Sequence, residues 1–97
     1  MSDQKSPMQM ISLPASTTAA GTRLQVSATA YGCRFLHIAA NTTNTGAVFV
    51  GGAQVAATCY HSLLYAGQEV DIPIDRVDKV WYDVAVNSEG IKSGYVV

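Results

Sequence analysis

The sequence predicts an all-β domain: an antiparallel β-sandwich or jelly-roll-like barrel of about six to eight short strands, carrying an extended N-terminal arm. Three observations predict it. Apolar and polar residues alternate with a period of two in several runs, as a half-buried strand requires. The runs recur at intervals of about 8–15 residues, the spacing of sandwiches and barrels. Clusters rich in Gly, Asn, Asp, Ser and Thr separate them, which is turn chemistry. No window shows a helical period that competes with this pattern.

Residues 1–21 read as the arm, and residues 22–97 as the single sandwich domain. Within the arm, "MQMISL" predicts a short strand over residues 8–13, stopped by Pro14. A strand isolated at a terminus pairs with an edge, its own or a neighbour's. "ASTTAAG" is small and breaker-rich and reads as a loop. "TRLQVSATA" then alternates, with Leu24, Val26, Ala28 and Ala30 on one face. "CRFLHIAA" is apolar on both faces, which predicts a central strand packed on both sides. "NTTNTG" reads as a hairpin loop, and "AVFV" as the next strand.

Gly51 and Gly52 interrupt that strand. Neither sits in a phosphate-binding context, so the pair is assigned an architectural role: a turn or bulge that uses positive φ. Residues 53–68 predict a short strand and loop, with a turn at Ala66-Gly67. "EVDIPI" alternates, and Pro73 places it at a sheet edge. "DRVD" is a charged turn. "KVWYDVAV" is a long strand with Val80, Tyr82, Val84 and Val86 on one face; "NSEG" reads as a hairpin loop leading to a final strand, "IKSGYVV".

Composition narrows the function. The chain has 97 residues, room for one modest core. Charged residues are only 13% and hydrophobic ones 48%. So little charge on so small a chain suggests a surface that is covered in use. The formal net charge of −1 gives no electrostatic case for nucleic acid. No apolar run reaches the about 18 residues of a membrane span, and no apolar signal core opens the chain. Cys33 and Cys59 are therefore expected to be reduced.

Catalytic or metal chemistry has few carriers. Cys33, His37, Cys59 and His61 would make a zinc site only if their strands crossed in register. The simpler expectation is that the cysteines are small buried hydrophobes, His37 is a core or interface imidazole, and His61 lies in a loop. Neither cysteine has a Gly-rich elbow or a helix N-terminus beside it. Asp71, Asp75, Asp78 and Asp83 match no calcium-loop spacing. No catalytic, cofactor or metal residue is assigned, and the chain is not expected to be an enzyme. Tyr60, Leu63, Leu64, Tyr65 and Trp81 are the candidate oligomer or ligand contacts: the segment "CYHSLLY" is too apolar for a free loop, and Trp81 beside Tyr82 puts one ring in the core and one at an interface.

Residues 33–97 carry a further pattern. "AVFVGGAQVAAT" is followed by a loop closing on "YAGQEVDIPI", then by "RVDKVWYDVAVNSEG" and a last strand. Val50, Gly51, Gly52, Gly67, Gln68, Glu69, Val80, Trp81, Tyr82 and Val84 are the matching positions. This resembles the small β-domains of tailed-bacteriophage virion proteins, among them capsid decoration (cement) and head-fibre proteins. The resemblance implies a non-enzymatic structural protein on the capsid surface, assembled in the bacterial host cytoplasm. Its partners would be itself, as a dimer or trimer, and a major capsid protein or other virion protein. Met8, Met10, Ile11 and Leu13 of the arm would then touch the shell, and deleting residues 2–13 would weaken docking without unfolding the domain. The alternative is a carbohydrate- or receptor-binding β-module of a head fibre or tail.

Overall fold

The computed structural model describes residues 9–97. Eight strands follow in order: β1 (Met10–Thr18), β2 (Leu24–Gln25), β3 (Phe35–Ala40), β4 (Val48–Gly51), β5 (Ser62–Leu64), β6 (Glu69–Pro73), β7 (Trp81–Val84) and β8 (Glu89–Val96). Among the described residues the one helical segment is a 3₁₀ turn at Val77–Lys79, overlapping the expected charged turn and taking Lys79 from the expected strand.

The strands form two four-stranded antiparallel sheets, β1-β8-β3-β6 and β2-β7-β4-β5. Outermost pairs with outermost: β1 with β8, β2 with β7, β3 with β6, β4 with β5. This is one long hairpin, rolled until β3 meets β8 and β4 meets β7. The chain is an eight-stranded jelly roll.

Between the sheets lie Leu36 and Ile38 of β3, Val48 and Val50 of β4, Tyr82 and Val84 of β7, and Ile91 of β8, all essentially dry. In β7 Tyr82 and Val84 follow the alternation of the sequence, whereas in β3 the one-sided burial of Leu36 and Ile38 does not follow its two-sided apolar run. Tyr82 is fully buried, and its hydroxyl lies 2.6 Å from Ser16 Oγ, linking β7 to β1 across the core. A second, smaller cluster of Ala47, Phe49 and Val55, with Leu63 and Trp81 against it, covers the outer face of the β2-β7-β4-β5 sheet.

The arm is corrected most. The strand expected over residues 8–13 spans Met10–Thr18 and passes through Pro14. The register with β8 shifts between Leu13 and Ser16, so a bulge absorbs the proline on an edge strand, where a missing N–H is tolerated. Residues 10–18 therefore belong to the sandwich, and the domain boundary at residues 21/22 does not hold. Deleting residues 2–13 would remove the first half of β1.

Four other expectations change. The "TRLQVSATA" run keeps only two residues as a strand: Val26 is buried, Leu24 is 41% exposed, and Ala28 and Ala30 are exposed. Alanine side chains offer too little apolar area to hold the rest down. β3 packs on one side only, since Phe35 is exposed and His37 and Ala39 are half-buried. Val86, expected on the core face, is 40% exposed. Finally, "NTTNTG" and "NSEG" are not hairpin loops, because each carries the chain from one sheet to the other.

Side chains hold these crossovers. The Glu89 carboxylate accepts hydrogen bonds from the Thr45 N–H (2.6 Å), the Thr45 hydroxyl (2.8 Å) and the Gly46 N–H (2.9 Å). Asn44 Nδ2 donates to the Gly90 carbonyl at 2.9 Å, and the Gly90 N–H donates back to Asn44 Oδ1 at 3.3 Å. Buried Asp83 accepts from the Gly21 N–H at 3.0 Å and the Val84 N–H at 2.8 Å, and Asn87 Oδ1 accepts from the Ala20 N–H at 2.9 Å. Backbone donors that leave a ladder need such partners.

Neither Gly51 nor Gly52 has positive φ, which overturns the expected reason for the pair. The chain does turn there, with the Val55 N–H donating to the Gly52 carbonyl at 3.0 Å. A Cβ on Gly51 would meet His61 N and Val55 Cγ2 at 3.4 Å, and one on Gly52 would meet nothing within 4 Å. The demanding glycine is Gly90, where a Cβ would stand 1.8 Å from the Ser16 carbonyl oxygen and 2.7 Å from Thr17 Cα.

Two outcomes follow from this geometry. Gly90→Ala must displace β1 and is expected to cost about 2 kcal/mol or more, whereas Gly52→Ala stays within about 0.5 kcal/mol; thermal melts of the two variants check this. The Thr45 N–H, then the Gly46 N–H and the Thr45 hydroxyl, hold the Glu89 carboxyl below the usual glutamate range. Its stabilisation is therefore complete above the unfolded-chain value of about 4.3 and is lost as pH falls through the lower folded value. Glu89→Gln should lower stability at neutral pH and flatten the acid limb of a denaturation series. Part of that limb should remain, because Lys79 and Arg76 also depress Asp75 and Asp78.

Candidate functional site

The four residues weighed as a zinc site are not brought together. Cys33 precedes β3 and donates from Sγ to the Ile74 carbonyl at 3.2 Å. His37 sits on the outer face of β3. Its Nδ1 meets Asp71 Oδ1 at 2.5 Å, and its Nε2 meets Glu69 Oε1 at 3.1 Å, so β6 brackets the ring with two carboxylates. Cys59 and His61 lie instead on the loop over the other sheet, where His61 Nδ1 meets Ser62 Oγ at 2.8 Å. Among the described residues no group of three or more His, Cys, Asp and Glu side chains is placed to hold a metal ion. The aspartates are dispersed as well: Asp71 to His37, Asp75 to Lys79, Asp78 to Arg76, and Asp83 to backbone amides.

Both cysteines are free thiols, as expected. Only Cys33 is partly covered, and Cys59 is exposed, which corrects its assignment as a buried hydrophobe. Burial pushes the Cys33 thiol up, and the neighbouring Asp75 carboxylate adds to the shift.

The proposed contact residues separate. Leu64 is buried in the main core and is removed as a contact. Leu63 and Trp81 pack against Phe49 and Val55, beneath the loop that follows β4. Tyr60 lies over Phe49 with ring centroids 5.4 Å apart, yet remains 46% exposed, and Tyr65 is 58% exposed. A depression of about 210 Å³ lies beside them, lined by Gly51, Gly52, Gln54, Val55, Cys59, Tyr60 and His61. Of the arm residues, Met8 lies outside the described residues. Met10 and Ile11 are exposed on β1, and Leu13 packs against the core.

Among the described residues, one uncovered sheet face was not singled out from the sequence. It is the outer face of the β1-β8-β3-β6 sheet. The ladder register places Met10, Val96, Phe35 and Pro73 side by side in one row across all four strands. The next row is Ser12, Gly94, His37 and Asp71, and the third holds Lys92, Ala39 and Glu69. A hollow of about 240 Å³ opens on this face beside Gly94, which the Met10 thioether covers, and is lined by Ser12, His37, Ala39, Lys92 and Ser93 as well. The alternation of Lys92, Gly94 and Val96 in the last strand was the signal for it.

Among the described residues no helix is long and apolar enough to cross a membrane. No family model, curated protein or solved structure matches the chain.

Thiol accessibility checks the placement of the cysteines. Cys59 should react with a thiol reagent at neutral pH well before Cys33, since attack needs both access and thiolate. Labelling followed by peptide mass spectrometry reads the order, and equal rates would contradict the half-covered position of Cys33.

Proposed function

We propose that this protein is a non-enzymatic bacteriophage virion component, a capsid decoration or cement protein that binds and stabilises the head shell as a homo-oligomer. The observation that carries the proposal is the jelly-roll strand order, an architecture used by viral capsid domains. The sequence resemblance of residues 33–97 points the same way. The surface fits the role. It bears little charge and exposes Met10, Ile11, Phe35, Tyr60 and Tyr65 on a small domain. A chain with one modest core gains stability by mass action when it binds neighbours. Its site of action would be the capsid surface, after assembly in the host cytoplasm.

The jelly roll is also a lectin architecture, and exposed Tyr60 and Tyr65 favour a carbohydrate- or receptor-binding module as the second reading. That reading loses its strongest stacking residue, because Trp81 is engaged with Phe49 and Val55.

Head binding tests the proposal. Purified protein is mixed with heads lacking it, from the phage whose genome encodes the chain, and sedimented on a density gradient. Saturable co-sedimentation and heads that open at a higher temperature are expected. Absence of the protein from both the head fraction and purified virions would overturn the proposal, and a specific hit on a glycan array would favour the second reading.

A further inference from the structure

We propose that the outer face of the β1-β8-β3-β6 sheet is a two-fold interface with a second copy of this chain, the axis running parallel to the strands between β8 and β3. This deepens the virion reading, which expects copies to touch one another, and it stands without a shell.

The register carries the inference. A sheet face is built of rows, and a two-fold axis has two simple ways to lay this face on its copy. An axis across the strands would reverse the rows and set the apolar row of Met10, Val96, Phe35 and Pro73 against the row of Lys92, Ala39 and Glu69. An axis along the strands keeps each row opposite itself and exchanges β1 with β6 and β8 with β3. Val96 then faces Phe35 of the other copy, and Met10 faces Pro73, so apolar area covers apolar area.

The second row is complementary in shape. Gly94 is covered by the Met10 thioether, and the hollow beside it is lined by Met10, Ser12, His37 and Lys92. The position facing Gly94 is His37 of the other copy. Its ring is already oriented by Glu69 and Asp71, so little rotamer freedom is lost on docking. Ser12 faces Asp71, a hydroxyl donor against an acceptor.

The third row is complementary in charge. Lys92 is exposed and forms no ion pair within the described residues. Across the axis it lies over Ala39, one strand away from Glu69. The Lys92 ammonium thus reaches the carboxylate of the other copy, and symmetry makes the pair twice. The carboxylates Glu69 and Asp71 lie on the outer strand β6, while Gly94, Ala39, Val96 and Phe35 lie on the two strands beside the axis.

The size sets the affinity class. The four strands hold 9, 6, 5 and 8 residues, which at about 3.3 Å per residue and about 4.8 Å between strands present about 440 Å² in projection. Two copies together reach about 900 Å², the size of a weak interface. Dissociation is therefore expected in the micromolar range.

Sedimentation equilibrium of the full chain, run across that range, provides the test. The wild type should approach twice the 10.3 kDa chain mass. Ala39→Arg places a second positive charge beside the axis, opposite Lys92 of the other copy, without touching the core, and it should hold the monomer mass at every concentration with an unchanged melt. Phe35→Ser serves if that variant misfolds. Lys92→Glu should weaken association about tenfold or more, and adding Glu69→Lys to it should recover most of the loss. A wild type that stays monomeric throughout, or an oligomer that survives both Ala39→Arg and Phe35→Ser, overturns the interface. Head co-sedimentation separates the two proposals: a monomer that still binds heads leaves the virion reading intact, and a dimer that ignores them leaves the interface intact.

Discussion

The carbonyl oxygen of Ser16 lies where a side chain on Gly90 would begin, 1.8 Å from its Cβ position. That approach sets the path of β1, and β1 in turn completes the jelly roll by joining the start of the chain to its last strand. β8 lies between β1 and β3, so it seals the first ladder and the rolled-up one together. The bulge after Leu13 follows from the same constraint. It takes up the extra residue around Pro14 and delivers Ser16 to the buried Tyr82 hydroxyl. A proline that looked like a stop is instead the point at which the strand bends to follow the sheet.

Every change of sheet in a jelly roll takes backbone donors out of their ladders. Here carboxylates and amides near the start of β8 and the end of β7 receive them. Glu89 and Asn44 secure the β3–β4 crossing, while Asp83 and Asn87 secure the link from β1 to β2. Two of these residues are acidic, and both serve as acceptors for backbone N–H groups. Six of the seven acidic residues lie within residues 51–97, and these two are architectural, used to satisfy the backbone.

The two outer faces differ in a way that gives the molecule a direction. The β2-β7-β4-β5 sheet is covered by its own loop, which folds back after Gly51, inserts Val55 and lays Tyr60 on Phe49. Among the described residues the β1-β8-β3-β6 sheet has no such cover, and its rows of side chains stand exposed or half-buried.

Period-two alternation and turn chemistry determined the all-β class; alternation located β6 and β7, with Tyr82 and Val84 on one face, and short apolar runs located β3 and β4. Alternation did so because a strand's face is a local property, fixed by the pleat. Pro73 marked an edge for the same reason: a missing N–H is visible in the residue itself. Pairing is not local. Whether "NTTNTG" and "NSEG" close hairpins or cross between sheets depends on strands 40 or more residues away, so the jelly-roll order, the integration of β1 and the one-sided packing of β3 appeared only in three dimensions. The same holds for the glycines and the contact face. Gly51-Gly52 announced itself by repetition, but Gly90 is required by a backbone more than 70 residues earlier. Met10, Val96, Phe35 and Pro73 become one row only because four distant strands share a register, which is a property of the assembled sheet and of no segment within it.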